Sequence, residues 1–475
     1  MSLIPLLLAI CVSLIIGQFA KGRWRGWSLL IASTLAIYWL QPGLPIRHLD
    51  FWLPTACLVL TILIWVFTRS DELSVSHDNL LTGLILAGLI LLIGITRYLG
   101  PICCLTPSRP PSFTQITLVI IAISSLALLV IRFSPGRAGW IYASILLILG
   151  LFIILKSEYL ANMVSVFLRS VNAQSVELAS PFDIRWLGFS YVAFRLLHTL
   201  RDRLSGKLPE VTLQEFVIYI IFFPAISAGP IDRVQRFTQD LRQPFTQSME
   251  TTLQGGQRIL LGIFSKFVLA DGLALFALNT INSSQVRSTG WLWVMLYAFA
   301  LRIFFDFSGY TSIAIGMGQL LGIHLPENFE RPYLKQNLTL FWNSWHITLA
   351  QWFRAYFFNP VTRALRSSPR NIPMPLIIFV GQLTTFILIG LWHGISWNFA
   401  IWGAWHGLGL FLHNRWTSWI RTRAIGMENR PAVQWMVGLG STFLTFNFVS
   451  LGWVWFALST PAQSWNTLLK LFGLV

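Results

Sequence analysis

The sequence predicts an all-α, polytopic membrane protein, and two observations carry that prediction. Of 475 residues, 55% are hydrophobic and only 11% charged, with a mean hydropathy of +0.64. Soluble chains carry about a quarter charged residues, and so small a charged fraction does not cover a water-facing surface. The apolar residues also gather in repeated runs of about 17–25, the length that crosses the hydrocarbon core as a helix.

The elements follow in order. The first run, "SLIPLLLAICVSLIIGQFA", is followed by "KGRWRG". A secretory leader carries its positive charges ahead of the apolar stretch, not after it. This run therefore reads as a spanning helix with its N-terminus outside and Lys21, Arg23 and Arg25 in the cytoplasm. Further runs lie near 26–40, 50–68, 80–95, 116–132 and 139–155. Alternating sides puts Arg132 and Arg137 inside and the loop 97–115 outside, in agreement with the charge rule. A span near 186–200 returns to the basic loop "RDRLSGK".

The stretch 211–228 breaks the pattern, because it is basic on both flanks, Lys207 before it and Arg233 after it. A single crossing would leave one basic loop outside. Pro224 and the pair Gly229-Pro230 interrupt the helix, so a re-entrant or broken segment buried in protein is expected. Spans near 258–280, 290–313, 374–392, 397–413 and 433–457 complete the series. The count comes to about 11–13 crossings. The stretch 331–370 is polar, basic and rich in tryptophan, and reads as short helices at or inside the interface. No internal repeat or detachable soluble segment appears, so 1–475 is expected to be a single membrane-embedded domain.

The formal net charge of +16 does not point to nucleic acid. Its arginines and lysines cluster in loops, at 201–207, 233–258, 354–370 and 415–430. That clustering is what the positive-inside rule requires, with anionic lipid headgroups as partners. The four cysteines show no C-x-x-C spacing. No H-E-x-x-H, G-x-S-x-G or phosphate-cradling glycine loop is present, so no metal is expected. Few carboxylates lie in apolar spans; Asp271 and Asp306 are the notable ones, and a proton-coupled pump would carry more.

The histidines are the chemistry. Five of the eight fall between 324 and 413: His324, His346, His393, His406 and His413. Imidazole accepts and returns a proton near neutral pH, and an ionisable group at bilayer depth usually faces a cavity, a partner or a substrate path. His393 stands in "LWHGISWN" beside Trp392, with small residues that let a substrate approach and Asn398 able to orient a ring or a carbonyl. Against it stands a plain helix-end cap. His346, in "WNSWH" with Asn343, competes with the reading of an interfacial aromatic anchor. His413 reads as a structural residue, and His406 as either a supporting partner or a bundle hydrogen bond.

Four stretches carry a family resemblance: "FFPAISAGPIDRVQRF", "GIFSKFVLADGLA", "DFSGYTSIAIGMGQLLGIHLPENFERPYLKQNLTLFWNSWHITLAQWFRAYFF" and "IGLWHGISWNFAIWGAWHG". Together they resemble the membrane-bound O-acyltransferase family, in particular its bacterial alginate-acetylating and teichoic-acid-alanylating branch, over about Trp186 to Leu412. The resemblance implies a ring of helices around a thin floor with a tunnel, and transfer of an acyl group from a cytoplasmic thioester to an extracytoplasmic hydroxyl. It places the family's catalytic histidines on His393 and His346. The donor would be acyl-coenzyme A or an acyl carrier protein, with no tightly bound cofactor. The acceptor would be an envelope polysaccharide, reached directly or through an SGNH-type partner transferase, in the inner or plasma membrane. Acetyl transfer comes first and D-alanyl transfer second. Asn398, Trp392, Asn343 and Arg331 are expected around the substrates. Two departures stand out: Ala355 where the family often has Asp after "WFR", and "NPVTRAL" in place of a "PLGG"-like turn. A transporter without chemistry of its own, or a scaffold for a separate transferase, are the rival readings; neither needs two histidines at these positions.

Overall fold

The computed structural model describes residues 3–69, 76–100, 103–133, 137–421 and 431–474. Among them there are helices and no β-strand, and six helices are long and apolar enough to cross a membrane. Two compact units divide the chain, one of residues 1–259 with 313–325, the other of 260–312 with 326–475.

In the first unit run α1 (Leu3–Phe19), α2 (Arg23–Trp39), α3 (Leu49–Thr68), α4 (His77–Ile95), α5 (Phe113–Phe133), α6 (Arg137–Lys156), α7 (Glu158–Val171), α8 (Phe189–Leu204), α9 (Leu213–Ile221) and α10 (Val234–Arg242). Their starts follow local chemistry. Ser76 caps α4 by accepting from the Asn79 amide, and Thr212 and Glu215 form a reciprocal capping box on α9. The core of this unit is α9, buried from Phe216 through Ile221 and packed on α2 and α3.

The problem segment after residue 211 is both broken and re-entrant. Helix α9 stops at Phe222, and a single 3₁₀ turn carrying Pro224 follows. The carbonyls left without helical partners would be costly at depth. Arg195, 2% exposed, donates to two of them, Ile220 O at 2.8 Å and Ala225 O at 3.0 Å. Both ends of the excursion lie together. Arg242 donates to Glu215 and to Glu210 O, each at 2.7 Å, and Gln235 donates to Lys207 O at 3.2 Å. Arg25, in the first turn of α2, donates to Leu321 O, Gln243 O and Gly322 O in the same neighbourhood. The loops at 21–25, 207–215 and 235–243 therefore share one side, the side the charge rule calls cytoplasmic.

The chain goes on through α11 (Met249–Ile263), a π-helical stretch Phe264–Ala270, the short α12 (Asp271–Ala274) and α13 (Asn282–Gln285), and the 32-residue α14 (Thr289–Leu320). Next come α15 (Leu338–Trp342), α16 (Ile347–Phe353) and α17 (Asn359–Arg366), then α18 (Met374–His393), α19 (Trp397–Arg421), α20 (Pro431–Ala457) and α21 (Pro461–Leu471). The expected interfacial segment is α15–α17, none of them long enough to span. In the second unit α18 and α19 form an antiparallel hairpin whose backbones nearly touch. A Cβ at Gly390 would stand 2.0 Å from Phe399 O, and one at Gly403 would stand 2.3 Å from Phe386 O. Small residues at such crossings are what lets membrane helices pack closely.

Candidate active site

The site is built on the second unit. A short antiparallel pairing of Phe329 with Trp345 holds two chain segments side by side. Glu330 N donates to Ser344 O and Ile347 N to Asn328 O, both at 3.0 Å. Between them His346 takes a left-handed conformation, φ 43°, as it starts α16. Such backbone in a non-glycine residue persists only where the surroundings hold it.

That clamp sets the tautomer of His346. Asn328 Oδ1 accepts from the Thr348 amide at 3.2 Å and from the Thr348 hydroxyl at 2.7 Å. A backbone N–H only donates, so the amide oxygen of Asn328 faces this way. The contact of His346 Nδ1 with the same oxygen, at 3.3 Å, then makes Nδ1 the donor. Nε2 is left carrying a lone pair, and it is buried with no hydrogen-bond partner among the described residues. The ring is 4% exposed, and burial pushes it down to about 3, so it is neutral at physiological pH. Phe307 meets it edge-on at 4.7 Å.

His346 forms part of the wall of a cavity of about 180 Å³. Trp342, Trp345, Leu349, Phe386 and Ile389 make the apolar part, and Asn343, Arg354, Gln382 and Asn414 the polar part. Arg354 donates to Asn343 Oδ1 at 2.7 Å.

His393 ends α18. It is partly buried, its ring 4.5 Å from Trp392, 5.6 Å from Trp402 and 4.7 Å from Phe456. Trp392 also lies 6.1 Å from His346. Both histidines thus lie near the same indole, His346 in the cavity wall and His393 outside it.

The other expected substrate residues divide. Asn343 is in the cavity wall. Trp392 is near both histidines. Asn398 is 2% exposed, and its amide donates to Leu458 O at 2.6 Å and to Ser464 Oγ at 3.1 Å, tying the start of α19 to the segment after α20 and to α21. Arg331 is exposed and left-handed at the start of the turn Pro332–Leu334, outside the cavity wall. His413 contacts Thr339 and Thr417. His406 is wholly buried among Trp342, Trp402 and Phe448. The residues the sequence reading missed are Arg354, Gln382, Asn414 and Asn328. Arg354 was legible: His346, Ala350 and Arg354 are four apart along one helical face. The other three come from distant segments, and no local pattern marks them.

Residues 125–452 match the family model described as MBOAT, membrane-bound O-acyltransferase family. The chain belongs to that family. The match takes in His346, His393 and the whole cavity wall, and as a member the chain is an O-acyltransferase of the membrane. It is 32% identical over 286 residues to a teichoic acid D-alanyltransferase of Streptococcus thermophilus, across 58% of this chain and 68% of that one. It is 30% identical over 292 residues to a probable alginate O-acetylase of Pseudomonas aeruginosa, across 60% of this chain and 51% of that one. A peptidoglycan O-acetyltransferase of Helicobacter pylori is 30% identical over 262 residues, across 55% of this chain and 47% of that one. The chain thus spans about half the length of these two acetylating relatives. No group of three or more His, Cys, Asp or Glu side chains among the described residues is placed to hold a metal.

Proposed function

We propose that this O-acyltransferase moves a short acyl group, acetyl first, from a thioester donor at the cytoplasmic side to a hydroxyl of an extracytoplasmic polysaccharide or related envelope polymer. Transfer is direct or passes through an SGNH-type partner transferase. The observation that carries the reading is a neutral histidine with a set tautomer, His346, in the wall of a small cavity whose polar end is the Arg354–Asn343 pair. Arg354 opens the basic run that continues with Arg363, Arg366 and Arg370, which the charge rule assigns to the cytoplasm. A phosphate-bearing thioester, coenzyme A or an acyl carrier protein, suits that end. The cavity, about 180 Å³, is large enough for an acyl group of few carbons.

In the reaction His393 acts as the general base. It takes the proton of the acceptor hydroxyl as that oxygen attacks the thioester carbonyl. The C–O bond forms, the C–S bond breaks, and the proton is returned to the departing thiolate. His346, neutral, positions the acyl thioester or shares the proton through the lone pair on its Nε2. Trp392 lies near both rings, Asn343 orients the donor, and Asn398 positions α19. Arg331 remains a candidate anion contact. The chain sits in the inner or plasma membrane with its N-terminus outside, and lipids surround it.

D-alanyl transfer from a carrier protein is the second reading, favoured by the match that covers 68% of the D-alanyltransferase. Mild base release of envelope esters, read by mass spectrometry in a deletion strain complemented with the wild-type gene, separates the two. Acetate supports the first, D-alanine the second. No ester dependent on the gene would refute both.

A further inference from the structure

Helix α7 (Glu158–Val171) takes no part in the acyl-transfer reading, and it is built inside out. At about 100° per residue, Tyr159, Met163, Val166, Phe167 and Ser170 share one side of it, and Ala161, Ser165, Leu168 and Arg169 the other. The first set is the exposed one: Tyr159 is 73% exposed, Met163 52% and Phe167 63%. The second set faces protein. Ala161 and Leu168 pack with Ile46 and Ile184. Ser165 and Arg169, both buried, donate to Asp183 Oδ2, each at 2.7 Å. The ion pair points inward and the aromatic rings point outward.

A helix on a water-facing surface turns the other way, because water solvates the charge and rejects the apolar stripe. The medium outside α7 is therefore apolar. Two observations identify it as lipid. The exposed face continues the band left open by α6, which is long and apolar enough to cross the membrane and exposes Tyr142, Leu146, Leu149 and Ile153 along one side. Only Ser157, the cap of α7, separates the two helices. The face also offers little that a protein partner would pair with, whereas protein interfaces carry regular hydrogen bonds. The Ser170 hydroxyl donates to Phe167 O at 2.8 Å within the helix, and Tyr159 has the amphipathic ring that suits a membrane surface.

The helix is also fixed at one end of its unit. Gln174, just past α7, accepts from the Arg47 amide at 3.1 Å and donates to Pro45 O at 2.9 Å. That loop joins α2 to α3, at the far end of α2 from residues 21–25, the end the charge rule calls extracytoplasmic. Arg47 is exposed there and brings a guanidinium suited to lipid phosphate.

We propose that α7 is a monotopic anchor, its Tyr159, Met163, Val166 and Phe167 face sunk in the acyl-chain boundary of the extracytoplasmic leaflet, with Arg47 at the phosphates. The partner is the phospholipid surface itself. This inference stands on the packing of one unit and does not depend on the acyl-transfer reading.

The test uses the full chain in proteoliposomes, with Cys11, Cys57, Cys103 and Cys104 replaced by alanine. Met163→Cys, Phe167→Cys and Ser170→Cys each carry a fluorophore. Leu146→Cys on α6 is the lipid-facing reference, and Lys207→Cys, exposed in a basic loop, the aqueous one. The quenchers are a phospholipid with a nitroxide near the top of its acyl chain and iodide in the buffer. The α7 probes should match Leu146→Cys to within about twofold with the nitroxide lipid, and be quenched by iodide about fivefold less than Lys207→Cys. Ser170→Cys exchanges one oxygen for sulfur, so it carries the test if the larger replacements fail to insert. Iodide quenching equal to that at Lys207→Cys overturns the anchor, because the face is then in water. Quenching by neither agent overturns it in favour of a second copy of the chain covering the face. A probe at Arg47→Cys should be quenched by a nitroxide on the lipid headgroup, and its failure to be quenched overturns the phosphate contact. Ester formation, tested at His393, stands or falls separately.

Discussion

At the scale of single residues, the site turns on two imidazoles in different circumstances. His393→Ala is expected to lower ester formation by about 10²–10⁴-fold, the usual range for a general base, while His413→Ala leaves it near wild type. Mass spectrometry of base-released acid from equally expressed variants decides this, and full acylation in His393→Ala would remove the base assignment. His346 behaves differently, because burial holds it neutral down to about 3. It does not ionise across the working pH range, so His346→Gln should lower the rate without moving the acid limb of the pH–rate profile. A limb that shifts in that variant would show that His346 is the titrating base. The same burial has a stability consequence. The unfolded chain takes up the proton near 6.5 and the folded chain only near 3, so stability is lost as pH falls below about 6.5. Replacing His346 with Gln should flatten that acid loss in thermal melts. Both histidines were legible in the sequence, from their motif positions and their rarity in apolar surroundings. Asn328, which sets the His346 tautomer, was not. It lies 18 residues away, and only the Phe329–Trp345 pairing brings it to the ring.

At the scale of elements, the α18–α19 hairpin places His393, and its glycines keep the two backbones together. Gly403→Ala forces a methyl into Phe386 O, and should cost about 1–3 kcal/mol as an overpacked contact. Gly440→Ala, whose added Cβ meets nothing within 4 Å, should be neutral or slightly favourable. Detergent-solubilised melting of the two variants checks this, and equal melting would show that the close approach is not needed. Most long helices could be read from run length alone. The hard elements were those whose composition is not that of a span. Helix α8 is amphipathic yet almost wholly buried, and α9 is apolar yet only nine residues long. The proline marked where α9 breaks, but not that Arg195 from another helix would satisfy its carbonyls.

At the scale of the whole molecule, sidedness is the property to test. The hydrogen bonds joining 207–215 to 235–242 require both segments on one face of the membrane. Cysteines placed at Lys207 and Gln243, both exposed, should label from the cytoplasmic side only. Labelling of the two from opposite sides would turn the re-entrant segment into a crossing.

Composition and run length by themselves determined that this chain is helical and lives in a membrane, because hydrocarbon tolerates few charges and demands internally satisfied backbone. The charge distribution gave an expected sidedness for the loops, and motif positions singled out His346 and His393. Tertiary structure alone decided that His346 lines a cavity with Arg354, that both histidines lie near one indole, and that the Asn398 amide nitrogen anchors α19 to the C-terminal segment. Those are contacts between segments far apart in sequence, and side-chain periodicity carries information only about neighbours along one helix.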